Sequence, residues 1–488
     1  MYIIHRILLT GLSTCLLLYI AIKYTLGYWK RRGLLHEKPK FLWGNLKGVI
    51  QGKRHVQEAL LDVYKAFKGR APFIGFYACL KPFLLVTDLD LVRNILITNS
   101  GNFTTRGMYN NLKGEPLTGN LLQLDGHKWR ALHGQTVEVF TSSNLQKLLS
   151  RLIAISHRSQ QKMGQFKLKN VNISQLVDNY NIDVIACMTF GMDLAADKEE
   201  FRQMSQRLWH NFSLWRAYLA LEFPFLASIF QYKNYDDKAV AYFYNLTLRQ
   251  LEEQRRRDRQ PLQSFLQLYS RSESPLSDKE IAAQAFGFIV AGLNPLNATL
   301  SFCLYELAQQ TELQERTRAE IAAVLKRHNG QLTADGLKEL QFTKQVVQET
   351  LRLHSPYPFV VRRCTKEFEV DNSVFVIARG NNIIIPTVAI HRDPSIYEEP
   401  LRFDPSRFDA AALKSRPAMS FLPFGAGLRG CLASQLAEQQ LIVGLVALLQ
   451  QHRYAPCADT TIPLKYDTKK LLLMPKSDIY LSVEREES

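Results

Sequence analysis

The eight residues Phe424-Gly425-Ala426-Gly427-Leu428-Arg429-Gly430-Cys431 form the stretch of this chain best suited to chemistry. Glycine has no Cβ, so three of them so closely spaced let a backbone turn tightly and approach a second surface. The cysteine that closes the run precedes Leu432 to Gln451, a mostly apolar segment patterned as a long helix. At a helix N-terminus the macrodipole and free N–H groups favour a thiolate, and a thiolate is a good metal ligand. Taken alone, the pattern fits a buried cysteine beside a glycine turn equally well. The elements around it have to decide.

Upstream, Glu349 and Arg352 are spaced to share one helical face and pair. Pro356 and Pro358 follow, then short strand-like runs at Phe368 to Val370, Val374 to Ile377 and Ile383 to Ile385, with Gly380-Asn381 as a hairpin-type turn. Arg402-Phe403-Asp404-Pro405-Ser406-Arg407-Phe408 leads on to the glycine-cysteine loop. A long helix is expected from Ser277, where Glu280 completes a capping box, to about Gln309. Pro295 in its interior removes a backbone donor and predicts a kink beside Ala291-Gly292. That bend is either a site of ligand approach or merely tolerated.

The chain has 488 residues, 46% of them hydrophobic, which suits a well-packed body without a long disordered tail. Seven scattered cysteines make no disulfide framework and suit a reducing compartment. A formal charge of +16 suggests an acidic protein partner or an anionic membrane. The basic residues are dispersed and no nucleic-acid motif is present, so nucleic acid is not an expected partner.

Ile7 to Ile22 is an apolar run with His5 and Arg6 before it and Lys23, Lys30, Arg31 and Arg32 after it. Its length is near the short end of a bilayer span, and the charge bias places the bulk of the protein in the cytosol. No small-x-small cleavage site precedes the basic cluster, so a retained anchor is favoured over a cleaved signal peptide. The sequons at Asn102 and Asn211 would then stay unglycosylated. The expected organisation is an anchor over 1–28, a basic, proline-containing tether over 29–48 and a large domain over 49–488. Leu251 to Gln260 carries four arginines, read as a solvated helical face. Leu214 to Phe230 is unusually apolar; it is either core or a second membrane contact.

In order and spacing, Glu349-x-x-Arg352, Phe403-x-Pro405-x-Arg407-Phe408 and Phe424-x-x-Gly427-x-Arg429-x-Cys431 resemble the cytochrome P450 family over essentially the whole chain. Phe103-x-x-Arg106-Gly107, Glu115-Pro116-Leu117 and His391-Arg392-Asp393-Pro394-x-x-Tyr397 resemble its insect microsomal, xenobiotic-oxidising branch. The resemblance implies a mainly α fold with small β-sheets, preceded by an N-terminal transmembrane helix, at the endoplasmic reticulum membrane with the catalytic domain facing the cytosol. It implies haem b with Cys431 as the axial thiolate, donating density that favours O–O cleavage. Phe424, Gly425, Gly427 and Gly430 would shape the loop against the haem. Trp129, Arg362 and Arg429 would hold its propionates, for which a guanidinium fork is suited. Glu349, Arg352 and Arg407 match a buried structural triad. NADPH–cytochrome P450 reductase is the implied electron donor, with cytochrome b5 as a second partner and a lipophilic small molecule as substrate.

The sequence departs from the family in three places. Asn294 and Pro295 stand where the family carries an acid followed by a threonine on the oxygen side of the iron. Asparagine supplies no proton at neutral pH and proline has no donor at all; Thr299 lies one turn further on. His133 replaces an arginine and is a weaker, pH-dependent propionate partner. Leu428 and Ala433 replace the usual proline and glycine around the cysteine. The expected activity is a monooxygenase that inserts one oxygen atom from O2 into an apolar substrate. Two readings that need no oxygen-activating pair stay open: a haem-thiolate isomerase or lyase of hydroperoxides, and a weakly catalytic haem-binding regulator. By resemblance the pocket draws on Tyr109–Leu124, Leu214–Phe230, Phe286–Pro295, Tyr357–Val360 and Leu471–Leu473; whether it takes a steroid, a fatty acid or a plant toxin is not legible.

Overall fold

The computed structural model describes residues 2–163, 168–194, 197–209, 213–256, 264–271, 276–371, 373 and 375–485. Helix α1, Tyr2–Leu26, has 25 residues and a mean hydropathy of 1.8, and its apolar side chains point outward. By length and composition it can cross a bilayer. The Thr10 and Thr14 hydroxyls each donate to the carbonyl four residues back, at 2.8 Å, so these polar groups are satisfied without water.

The chain is locked to the body as soon as α1 ends. Trp29 is fully buried; its indole N–H donates to the Phe76 carbonyl (3.2 Å) and its backbone N–H to the Tyr77 hydroxyl (3.0 Å). Further on, the Phe41 ring lies 5.4 Å from Tyr19 of α1, and Trp43 lies 6.1 Å from Trp215.

The main sheet has the order β1-β2-β7-β4, from Phe73–Ala78, Lys81–Val86, Asn382–Ile385 and Val360–Arg363. β2 and β7 are parallel and the other pairs antiparallel. β5 (Phe368–Glu369) and β6 (Val376–Ile377) form a separate two-stranded ribbon, and β3 (Leu168–Asn172), β9 (Tyr480–Arg485) and β8 (His452–Pro456) a third sheet. The turn at Gly380-Asn381 therefore joins two different sheets and is not a hairpin. β6 pairs back to β5 and β7 pairs with β2 and β4, so the chain changes sheet there, using the positive φ of Gly380. Val374, at the start of one expected strand, lies outside the described residues.

The helices that position the site are α2 (Gly126–Val139), α3 (Leu214–Glu222), α4 (Pro224–Ile229), α5 (Asp278–Gln309), α6 (Gln341–Leu353) and α7 (Ser434–Leu449). α5 has 32 residues, about 48 Å of rise, and its expected capping box at Ser277 and Glu280 is present. It is mostly buried and forms the centre of the larger hydrophobic core.

The apolar stretch Leu214 to Phe230 is not core. In α3 and α4 Trp215, Phe223, Phe225 and Ile229 are 46%, 43%, 74% and 55% exposed, and Phe230 is 78% exposed. Pro224 starts a new helix there, which turns the apolar side chains outward. Of the arginine-rich stretch Leu251 to Gln260, Asp237–Arg256 is helical and the remainder lies outside the described residues, as does Asn211.

A Cβ on Gly75 would sit 2.4 Å from the Trp29 ring. Gly75→Ala should therefore displace Trp29 and lower stability by about 1–3 kcal/mol, read as a lower midpoint in thermal or urea unfolding. Gly101→Ala, at an open surface position without a positive φ, serves as the comparison for handling effects.

Candidate functional site

The glycine-cysteine loop is short and tightly held. The Cys431 N–H donates to the Phe424 carbonyl (2.9 Å) and the Gly430 N–H to the Gly427 carbonyl (2.8 Å). Gly425 and Gly427 both have positive φ. A Cβ on Gly427 would fall 1.6 Å from the Leu96 carbonyl oxygen, so this glycine is required by close packing on the segment Asn94–Thr98. Leu428 takes the solvent side of a 3-10 turn, and Ala433 is the N-cap of α7.

Cys431 lies three residues before α7, whose first turn starts at Ser434 and not at Leu432. The Ala433 N–H, at the N-cap of α7, still favours the thiolate. Burial pushes the thiol above its usual range, and the Ala433 N–H and the Arg106 cation offset this only in part. The Cys431 side chain is accessible to solvent although protein surrounds most of it, so it lines an internal recess. Tyr357 is of the same kind: it is 38% exposed, yet its hydroxyl is pushed up to about 12, first by burial and then by Cys431. Leu473, whose N–H donates to the Pro356 carbonyl (2.9 Å), sits behind it.

Three arginines converge beside the recess. Arg429 is 4% exposed and donates to the carbonyls of Thr104 (2.7 Å) and Leu124 (2.8 Å) and to the Asp125 carboxylate (2.5 Å). Its guanidinium lies 3.8 Å over the Trp129 ring, and the Trp129 and His133 rings lie 4.7 Å apart, tilted by 38°. Arg106 donates to the Arg429 carbonyl (2.9 Å). Arg362, on β4 and 4% exposed, donates to the neighbouring Val361 carbonyl (2.9 Å). Burial first and the neighbouring cations second pull Arg362 and Arg429 down to about 9. His133 is also lowered, by burial and then Arg429, so it is neutral at pH 7 and adds no charge. Asp125 is the carboxylate that faces this set. The cluster thus carries an excess of two positive charges in a place where water is scarce, and would be completed by a ligand with two carboxylates.

α5 is mostly buried. Gly287, Ala291 and Asn294, at i, i+4 and i+7, are partly accessible as a stripe on one face, and Phe288, Gly292 and Asn297 are partly accessible elsewhere on the helix. Pro295 has no N–H, which leaves the Ala291 carbonyl on this stripe without its regular helical donor. Thr299 is 2% exposed and its hydroxyl donates to the Pro295 carbonyl at 2.8 Å. It is committed to the helix backbone.

The triad assembles behind the loop. Arg352 and Glu349 are fully buried and make two hydrogen bonds, Nε to Oε2 at 2.6 Å and Nη2 to Oε1 at 2.8 Å. Arg407 Nε lies 3.5 Å from Glu349 Oε1, and the Asp404 N–H donates to the same oxygen (2.8 Å). Arg352 also donates to the His391 (2.7 Å) and Pro400 (2.8 Å) carbonyls. α6 is thereby tied to the segment that leads into the cysteine loop.

The structure brings together Arg362, Arg429, Trp129 and His133, with Arg106 linking them to Cys431, while α5 meets this set through Asn120 and Leu121; α3 and α4, expected as pocket lining, turn their largest apolar side chains outward. Sequence reasoning did not assign Asp125, the Leu96 carbonyl or the charge role of Arg106. The Asp125-Gly126 step that opens the helix of Trp129 was the available signal for the first. Among the described residues no three His, Cys, Asp or Glu side chains converge on a metal, so iron held by Cys431 would take its other ligands from a macrocycle. An accessible cysteine on a tight glycine loop, beside surplus buried cations, fits haem, whose propionates match the charge excess.

Fold and site together define a haem-thiolate protein. The family model for cytochrome P450 matches residues 36–483, and the chain belongs to that family, in its insect microsomal branch. It is 62% identical over 485 residues to probable cytochrome P450 6u1 of Drosophila melanogaster, covering 99% of both chains. It is 34% identical to probable cytochrome P450 6a13 of the same organism, over 96% of this chain and 97% of that one, and 33% identical to cytochrome P450 6a2, over 94% and 95%. The protein is a cytochrome P450 monooxygenase that binds haem through a cysteine thiolate.

Glu349→Gln would leave Arg352 buried beside a neutral partner and should cost about 3–5 kcal/mol, seen as a much lower urea midpoint. Removing the exposed pair partner in Arg402→Ala should cost less than about 1 kcal/mol. Equal losses in the two variants would contradict the structural role of the triad.

Proposed function

We propose that Cys431 is the axial ligand of haem b, that Arg106, Arg362 and Arg429 hold its propionates with Trp129 supporting Arg429, and that the enzyme inserts one oxygen atom from O2 into a lipophilic small molecule with electrons from NADPH–cytochrome P450 reductase. The observation that carries this reading is the surplus of buried cations beside an accessible cysteine on a glycine loop. When bound, haem supplies oxygen activation and electron storage that no side chain can provide. Phe424, Gly425, Gly427 and Gly430 would shape the loop against the haem, and the Ala433 N–H near the Cys431 sulfur would temper the thiolate.

On the α5 side, the Ala291 carbonyl and the Asn294 amide are the polar groups of the stripe. Water bound between them is the proposed carrier of protons in place of the family's hydroxyl, since Pro295 has no donor and Thr299 is engaged. His133, neutral, orients without charge. The exposed faces of α1, α3 and α4, with Phe41, form the proposed contact with the endoplasmic reticulum membrane. The anchor spans 1–28, the tether 29–48 and the catalytic domain 49–488 faces the cytosol, where its positive charge attracts reductase and cytochrome b5. Asn294-Pro295 favours one second reading, isomerisation or cleavage of ready-made hydroperoxides.

Full-length protein should give a thiolate-type reduced carbon-monoxide difference spectrum that Cys431→Ser abolishes. Product from O2 and NADPH only in the presence of reductase supports the monooxygenase; turnover of hydroperoxides without reductase supports the second reading. Under the first, Asn294→Asp combined with Pro295→Thr should lower the peroxide released per NADPH consumed. An unchanged ratio would remove the water-relay proposal.

A further inference from the structure

Pro295 removes the donor to the Ala291 carbonyl, and α5 nevertheless continues to Gln309. A helix flexes about such a break unless its neighbours hold both sides of it. The helix Ile173–Phe190 holds both. Before the break it lies so close to Gly292 that a Cβ there would be 3.0 Å from Ile185 Cδ1. After the break, Asn297 is tied to the same helix by two hydrogen bonds of 2.6 Å. Its Oδ1 accepts from Asn181 Nδ2, and its Nδ2 donates to Asp178 Oδ1. Asp178 and Asn181, spaced i and i+3, share one helical face. The helix Ile173–Phe190 therefore lies across the break as a splint.

The third partner is α7, the helix that follows Cys431. Gln440 Nε2 donates to Asn181 Oδ1 (2.9 Å), and the Tyr180 hydroxyl donates to the Gln440 carbonyl (3.4 Å). One turn further on, Gly444 lets α7 approach both other helices. A Cβ there would lie 2.8 Å from Tyr180 Cε1 and 3.0 Å from Leu300 Cδ1 of α5. Asn181 is fully buried and uses both ends of its amide, the donor toward α5 and the acceptor toward α7. An apolar side chain could fill this place without the cost of desolvating an amide. What the amide adds is register, because its bonds form in only one relative placement of the three helices.

We propose that Asn181 is a positioning residue for oxygen activation. It ties α5 to α7 across the Pro295 break and so fixes the freed Ala291 carbonyl and the Asn294 amide relative to the Cys431 loop. The consequence for oxygen rests on the water relay proposed above; the tie itself rests on neither the relay nor haem.

The test is a double-mutant cycle between Asn181→Ala and Pro295→Ala in the full-length protein. Pro295→Ala restores the missing backbone donor, so α5 then needs the tie less. Amide hydrogen exchange over 293–300 should be about tenfold faster in Asn181→Ala than in the unaltered protein, with 279–286 changed less than about twofold. In the Pro295→Ala background the same substitution should change 293–300 by less than about twofold. Equal acceleration in both backgrounds, or acceleration along the whole of α5, would overturn the proposal and leave Asn181 as ordinary packing. Holoenzyme with reductase and NADPH gives a second readout. Peroxide released per NADPH consumed should rise about threefold on Asn181→Ala, and by less than about 1.5-fold when Pro295→Ala is already present. Non-additive exchange with an unchanged peroxide ratio would overturn the role in oxygen activation. Failure of the relay itself is read separately, from the protein carrying Asn294→Asp and Pro295→Thr. If Asn181→Ala does not accumulate, Asn297→Ser cuts the tie at its less buried end and should give the same two non-additive responses.

Discussion

Everything around the cysteine loop depends on an imbalance of charge. Arg106, Arg362 and Arg429 are held in a region of low water content and face the single carboxylate of Asp125. Buried cations are tolerated only where partners compensate them. Backbone carbonyls do part of this for Arg429 and Arg106, and the Trp129 ring supports Arg429 through its π face. Among the described residues Arg362 donates to one neighbouring carbonyl, and burial first, then Arg106 and Arg429, lower its pKa. The haem-free chain therefore carries an electrostatic strain that an acidic ligand relieves, which couples cofactor binding to stability. His133, lowered by burial and then by Arg429, adds no further charge to the set at neutral pH.

The triad solves a different problem. Glu349 and Arg352 sit at i and i+3 on one helix, yet their value lies in what else they hold: the Asp404 N–H, the carbonyls of His391 and Pro400, and Arg407. Those contacts fix the path of the chain as it approaches Phe424. Gly427 then fixes the far side of the loop by contact with the Leu96 carbonyl. Loop geometry is thus set from both flanks, by charge on one and by steric fit on the other, and Cys431 needs no helix dipole to be placed.

Much of this was legible from local chemistry. The capping box at Ser277 and Glu280, the spacing of Glu349 and Arg352, and the glycine loop each carry their physical cause within a few residues, so a sequence shows them. The thiol's raised pKa was not legible, because burial is a property of the whole fold and outweighed the helix terminus that the local pattern suggested. Gly380-Asn381 was read as a hairpin because turn chemistry does not say which strands will pair. The apolar run Leu214 to Phe230 could not be told from core by composition, since outward and inward apolar faces use the same residues. Asp125, Arg106 and Asn181 act across 100 residues or more of chain, and no spacing rule reports such contacts.

Pro295 is the position where the fold and the chemistry of the family pull apart. A proline inside a buried helix costs about 3 kcal/mol relative to alanine, because the Ala291 carbonyl loses its regular donor. The Thr299 hydroxyl donates to the Pro295 carbonyl and not to that of Ala291, so it is engaged without repairing the break. What the substitution gives in return is the Ala291 carbonyl, freed on the accessible stripe next to the Asn294 amide. The proposed water relay follows from this: with proline carrying no donor and the Thr299 hydroxyl engaged, ordered water between the Ala291 carbonyl and the Asn294 amide is the proposed carrier of protons, and its performance would depend on how well these two groups order it.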